Sequence, residues 1–163
     1  MCSSDLSYHI PGLADSKLVP ADERDDLYDE ITRHALAWAV RSSDPRQIDR
    51  LNIHHASLDA MRLAVCALGI APDIVLVDAF RIPGIDMPQR GIKGGDRRCA
   101  AIAAASIVAK VTRDREMVAL HANDPRYGFD RHKGYATAQH LAALAQHGYS
   151  DAHRRSDRKS TRL

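Results

Sequence analysis

Two aspartates carry the most specific chemistry in this chain. Asp78 closes the run "IVLVD" (74–78), and Asp96 stands eighteen residues on, in "KGGD" (93–96). A carboxylate past the C-terminal end of an α/β strand sits at the rim where such sheets build their sites. Two carboxylates brought together repel, and a divalent cation relieves that repulsion. Oxygen-only ligands suit Mg²⁺ or Mn²⁺, and such ions support phosphodiester cleavage. Spacing alone leaves simpler roles open. Asp96 could cap a helix, and Asp78 could form a turn. Asp114 in "VTRDRE" reads most simply as a surface helix acid.

Basic and aromatic residues follow the acids. Arg90, Lys93, Arg97 and Arg98 flank Asp96, and Arg126, Arg131, His132 and Lys133 interleave with Tyr127, Phe129 and Tyr135. Glycine amides in "KGGD" and a helix N-terminus could cradle a phosphate. The mixed basic and aromatic stretch suits stacking on sugars or bases. A solvated charged face accounts for it equally well. "ADSK" (14–17) adds a Ser–Lys pair ahead of a helix.

The elements that must position these residues alternate. "ADSKLVPADERDDLYDEITRHAL" turns helical, with Pro20 near its start and acids in the first turn. "ALAWAV" (35–40) reads as a short strand and "RSSDPRQIDR" (41–50) as a loop. Asn52 caps a helix reaching about Leu68, whose apolar face holds Ile53, Ala56, Leu58, Met61, Ala64, Val65 and Leu68. "IVLVD" is short and β-branched, so a central strand, and "MPQRGI" a poorer, edge-like one. "DRRCAAIAAASIVAKVTRDREMVAL" is a long helix whose small residues suit close packing on a sheet. "HANDPRYGFDRHKGY" is an irregular connection, and "ATAQHLAALAQHG" a helix ending at Gly148. The first dozen residues show no strand that could anchor a sheet. Alternating strands and helices indicate an α/β fold.

Composition sets the outer bounds. A chain of 163 residues is large enough for one domain with a core. With 45% hydrophobic and only 5% aromatic residues, that core is built from Ala, Leu, Ile and Val. The net charge of +2 says little alone, but the last eleven residues hold five Arg/Lys and one Asp. That end reads as a solvated tail or a polyanion contact. Three cysteines without a CxxC pair argue against a disulfide scaffold or thiolate zinc site. Cys66 and Cys99 read as small core residues, in a reducing, cytoplasmic setting. No apolar run suggests a membrane span, and there is no signal-peptide pattern.

Taken together, these motifs resemble bacterial ribonuclease HII, the type 2 ribonuclease H. "IKGGDRRCAAIAAASIVAKVTRDREM" is the most specific match. "LADSKLVPADERDDL", "VLVDAFRIP" and "DPRYGFDRHKGYATAQHLAALAQHGYSDAHRRS" fit in the same order. The resemblance implies a ribonuclease H-like mixed sheet flanked by helices, with a helical C-terminal extension. It implies an endonuclease that hydrolyses RNA in RNA–DNA hybrids, including ribonucleotides embedded in DNA. It implies Mn²⁺ or Mg²⁺ held by four acids, of which Asp78 matches the third and Asp96 the fourth. Tyr135 in "HKGY" matches a tyrosine that packs on the sugar at the RNA–DNA junction, and Ser16 and Lys17 match a phosphate-contacting segment. Lys93, Arg126, His132 and Lys133 complete the expected substrate-binding set. The expected partners are a hybrid duplex and DNA with embedded ribonucleotides, with no membrane, and the expected state is a monomer.

One departure qualifies the resemblance. The family opens with a strand bearing an Asp-Glu pair and a glycine-rich turn, and neither is recognisable here. Asp5 in "SSDLSY" is followed by no acid. The expectation is therefore an N-terminally truncated copy: a leader (1–10), a partial ribonuclease H-like domain (11–156) and a basic tail (157–163). Missing strand neighbours predict an unstable or aggregation-prone chain, and two missing acids predict weak metal binding. An inactive nucleic-acid-binding remnant and a different metal phosphodiesterase of similar fold are the alternatives.

Overall fold

The computed structural model describes residues 2–3, 10–13 and 19–156. The elements, in chain order, are β1 (Cys2–Ser3), α1 (Ala21–His34), β2 (Ala37–Trp38), α2 (Pro45–Leu51), α3 (Ile53–Cys66), β3 (Val75–Asp78), β4 (Gln89–Ile92), α4 (Ala100–Asn123), α5 (Phe129–His132) and α6 (Ala138–His147). Single 3-10 turns lie at Gly95–Arg97 and Pro125–Tyr127. The fold is α/β and mostly helical. It divides into two compact units: Met1–Ser42 with Leu58–Val111, and Ser43–Ser57 with Thr112–Leu163.

In the first unit, β3 and β4 form a parallel ladder in which Val75 pairs with Gln89 and Asp78 with Ile92. Strand alternation buries Val75 and Val77 and leaves Asp78 exposed. The two valines pack with Val65 of α3 and Ile82. A second cluster gathers Ala104, Ile107, Val108 and Val111 of α4 around Ile31 of α1. The small residues of α4 thus pack against a helix in this cluster, where the sequence suggested a sheet. Gly95 marks a close approach. A Cβ there would meet Ile102 Cδ1 at 2.5 Å and lie 3.6 Å from Asp78 Cα. Gly94, at φ 65, supplies the left-handed turn before it.

In the second unit, Met117, Tyr127, Phe129 and Leu144 form the core. Thr137 caps α6 by accepting from His140 N–H, and Gly148 N–H closes the helix onto Leu144 O. Asp49 of α2 accepts from Arg155 N–H, Ser156 N–H and the Ser156 hydroxyl. These bonds, the hydroxyl foremost, hold its carboxyl below the usual range.

Several sequence expectations are corrected. Residues 41–50 are not all loop: Asp44 accepts from Gln47 N–H and Pro45 opens α2. That helix buries no residue, so it leaves no apolar period to read. The stretch 121–135 is not irregular throughout, since it contains the end of α4, a 3-10 turn and α5. Residues 2–3 pair antiparallel with β2, where no strand was expected. The described strands form one antiparallel and one parallel ladder of two strands each, and β3 has β4 as its sole neighbour among the described residues. Ile53 and Met61 are exposed although they share the pattern of the buried α3 residues. Cys66 is exposed and Cys99 half-buried, so neither is a core residue.

Candidate functional site

The acid corner belongs to the first unit. Asp78 Oδ1 accepts a hydrogen bond from Gly95 N–H at 2.9 Å, tying the end of β3 to the turn that carries Asp96. The chain leaves Asp78 through a tight turn in which Phe80 N–H donates to Asp78 O at 2.7 Å across Ala79. Ala79 has φ 61, a left-handed value that costs a non-glycine residue energy. Gly91 accommodates this turn, for a Cβ there would stand 3.0 Å from Phe80 O and 3.1 Å from Ala79 O.

Asp78 does open a turn, closed by Phe80 N–H on Asp78 O, but the cap reading of Asp96 is not met. Asp96 lies inside the 3-10 turn, which has no side-chain cap. Among the described residues the Asp96 carboxylate has no hydrogen-bond or ion-pair partner, and the Asp78 carboxylate has only Gly95 N–H. Exposed Arg90, Lys93, Arg97 and Arg98 surround the turn in sequence, and Lys93 follows directly on Ile92, the register partner of Asp78. Arg98 reaches back to Lys93 O. The acids therefore sit on adjoining elements with lone pairs available for a cation. Among the described residues no three His, Cys, Asp or Glu side chains gather into a fuller ligand set.

The basic and aromatic residues belong to the second unit. Tyr135 is 64% exposed, yet its backbone is fixed from both sides. Its N–H donates to His132 O, and its carbonyl accepts from Thr137 N–H and lies 3.0 Å from His140 Nδ1. His132 is buried. Its Nε2 lies 2.7 Å from Tyr127 O and its Nδ1 accepts from Gly134 N–H, so both ring nitrogens are used inside the protein. Lys133 ends α5 at φ 50, with its ammonium donating to Asp130 O. Arg126 forks onto Asp124 at 2.7 and 2.8 Å and lies over the Tyr127 ring. That fork is the main cause holding the Asp124 carboxyl low and the Arg126 guanidinium high. A phosphate would have to compete with Asp124 for Arg126. Ser16 and Lys17 lie outside the described residues.

Sequence reasoning passed over the Ala79 turn and the rings of His140 and His153, and it gave the Gly95 amide to a phosphate where the structure gives it to Asp78. His140 carried a readable signal, since it shares with Leu144 the buried stripe of α6. His153 carried none, lying in a polar stretch with no periodicity.

Comparison with known proteins adds an independent line. The family model described as Ribonuclease HII matches residues 5–160. Ribonuclease HII of Ralstonia nicotianae is 52% identical over 150 residues, covering 90% of this chain and 64% of that protein. Ribonuclease HII of Ralstonia pickettii is 53% identical over 150 residues, covering 90% and 65%. The chain thus spans a little under two thirds of the length of these relatives. The crystal structure of ribonuclease H2 from Pyrococcus horikoshii superposes with a TM-score of 0.74 at 20% identity, covering 92% of this chain and 79% of that one. At that identity the match establishes a shared fold. No helix among the described residues is long and apolar enough to cross a membrane.

Proposed function

Since the chain belongs to the ribonuclease HII family, we propose that it serves endonucleolytic hydrolysis of RNA strands in RNA–DNA hybrids and of ribonucleotides embedded in DNA. Asp78 and Asp96 hold a divalent cation, Mn²⁺ or Mg²⁺, which when bound supplies charge stabilisation at the scissile phosphate. The observation that carries this reading is the Asp78–Gly95 hydrogen bond. It fixes one carboxylate against the turn bearing the other and spends only one of its oxygens. Hard oxygen donors of this kind fit Mg²⁺ or Mn²⁺. Two carboxylates are a sparse set, so further oxygen donors would raise the metal affinity.

The remaining residues bind and orient substrate. Lys93, next to the acids, and Arg126 and Lys133 in the second unit supply positive charge for phosphates. Tyr135 presents a ring from a pinned backbone, suited to packing on a ribose, where the 2′-hydroxyl separates RNA from DNA. His132 acts beneath the surface, through the loop it braces. Ser16 and Lys17 remain proposed phosphate contacts.

The test is Mn²⁺-dependent cleavage of a duplex bearing one ribonucleotide, comparing the chain with its Asp78→Asn variant. Asparagine keeps an oxygen that can accept from Gly95 N–H while losing the charge, so the corner stays formed. Cleavage abolished in the variant supports the reading. Equal cleavage by both chains removes Asp78 from the chemistry. Hybrid binding with no cleavage by either chain leaves a nucleic-acid-binding role alone.

A further inference from the structure

Beneath Tyr135 lies a cluster of three imidazoles whose hydrogen bonds admit only one arrangement of protons. His140 Nδ1 lies 3.0 Å from Tyr135 O, an acceptor, so that nitrogen carries the proton. A neutral His140 then has a bare Nε2, which lies 3.1 Å from His153 Nε2. His153 must therefore be protonated at Nε2 and bare at Nδ1, and Nδ1 receives Ser150 N–H at 3.1 Å and the Ser150 hydroxyl at 2.8 Å. His132 stacks on His140 at 4.4 Å and is protonated at Nε2, toward Tyr127 O. Every ring nitrogen is satisfied, and every ring is neutral.

We propose that His140 and His153 are positioning residues for Tyr135: two neutral imidazoles relay from Ser150 to the Tyr135 carbonyl and hold the exposed tyrosine where a ribose can meet it. The proposal rests on the sugar-packing role given to Tyr135 above. It also explains why a ring so exposed has so constrained a backbone.

The relay cannot survive a second proton. Protonating His140 sets its Nε2–H against His153 Nε2–H across 3.1 Å, and protonating His153 sets its Nδ1–H against Ser150 N–H across 3.1 Å. The surroundings resist that event. Burial, then the adjacent His140, pushes His153 down to about 4, against the opposing pull of Ser150 and Asp124. Burial likewise lowers His140. The groups facing His153 are His140 of α6, His132 beyond it, Asp124, and the rings of Tyr127, Phe129 and Tyr149. Only Asp124 among them favours its protonation.

The experiment has two readouts on the full chain. Long-range ¹H–¹⁵N spectra at pH 7.5 should show His140 protonated at Nδ1 and His153 at Nε2. A His140 protonated at Nε2 overturns the relay, whatever Tyr135 does. The second readout is the Kd for a short RNA–DNA hybrid in metal-free buffer. Tyr135→Ala should weaken binding about 5-fold or more, the scale of one lost aromatic stack. His153→Phe keeps a ring against Tyr127 and Phe129 but removes the donor. It should weaken binding similarly in the wild-type background and have no further effect on Tyr135→Ala. His153→Gln keeps a donor toward His140 and cannot titrate. It should retain affinity at pH 7.5 and lose most of the weakening seen as pH falls from about 5 through about 4. Additive losses for His153→Phe and Tyr135→Ala overturn the positioning role while leaving the tyrosine contact standing. Unchanged binding by Tyr135→Ala overturns both.

Discussion

The acid corner and the histidine cluster hold their functional side chains by opposite means. At the corner the backbone does the placing. Gly94 turns the chain, Gly95 comes close to Asp78, and Ala79 takes a strained turn, while the carboxylates keep lone pairs unspent. In the cluster the side chains do the placing, and nearly every polar atom is satisfied internally. A corner built this way is suited to receive a charged partner. A cluster built this way needs none and serves to hold one ring at the surface. The contrast matches the chemistry each region is given: cation binding for the first, sugar contact for the second.

The comparison can be broken most forcefully from the cluster side. Phe129 is buried between Tyr127 and the imidazoles. Phe129→Ala should lower unfolding free energy by roughly 3–5 kcal/mol, read from urea midpoints. Acid should act on the same region. His153 is depressed to about 4 in the folded chain, against about 6.5 unfolded. The neutral ring's contribution is complete above about pH 6.5 and is lost as pH falls toward 4. Urea midpoints of the wild type should therefore drop over that window, and those of His153→Gln should drop less.

From the corner side, Gly91→Ala should cost about 1–3 kcal/mol. The added Cβ meets the backbone carbonyls of Ala79 and Phe80, which cannot swing aside as a side chain can. Mn²⁺ affinity should fall with it, because the displaced turn carries Asp78. A smaller effect sharpens the comparison. Thr137→Ala, removing the cap of α6, should cost about 1 kcal/mol. Arg46→Ala breaks only an exposed pair with Asp151 and should shift stability by less than about 0.5 kcal/mol. All of these are read by denaturant unfolding on the same chain.

The corner was more legible in the sequence than the cluster. "IVLVD" and "KGGD" announce a strand end and a glycine turn, and the structure puts both where the pattern implied. Helices α3 and α6, each with a buried stripe, left a period to read. Helix α2 did not, because it buries nothing and is held by Asp44 and Asp49 instead. The histidines at 132, 140 and 153 have no common spacing, and contacts across such separations leave no local mark. Cys66 shows the opposite failure. An apolar neighbourhood in sequence placed it in the core, yet it ends α3 on the exposed side.

The central claim is that Asp78 and Asp96 share a cation, and Mn²⁺ binding followed by electron paramagnetic resonance tests it without requiring turnover. The account predicts saturable binding by the wild-type chain and a loss of about tenfold or more in affinity for both Asp78→Asn and Asp96→Asn, one such factor being about 1.4 kcal/mol. Binding of equal strength in all three chains would contradict it.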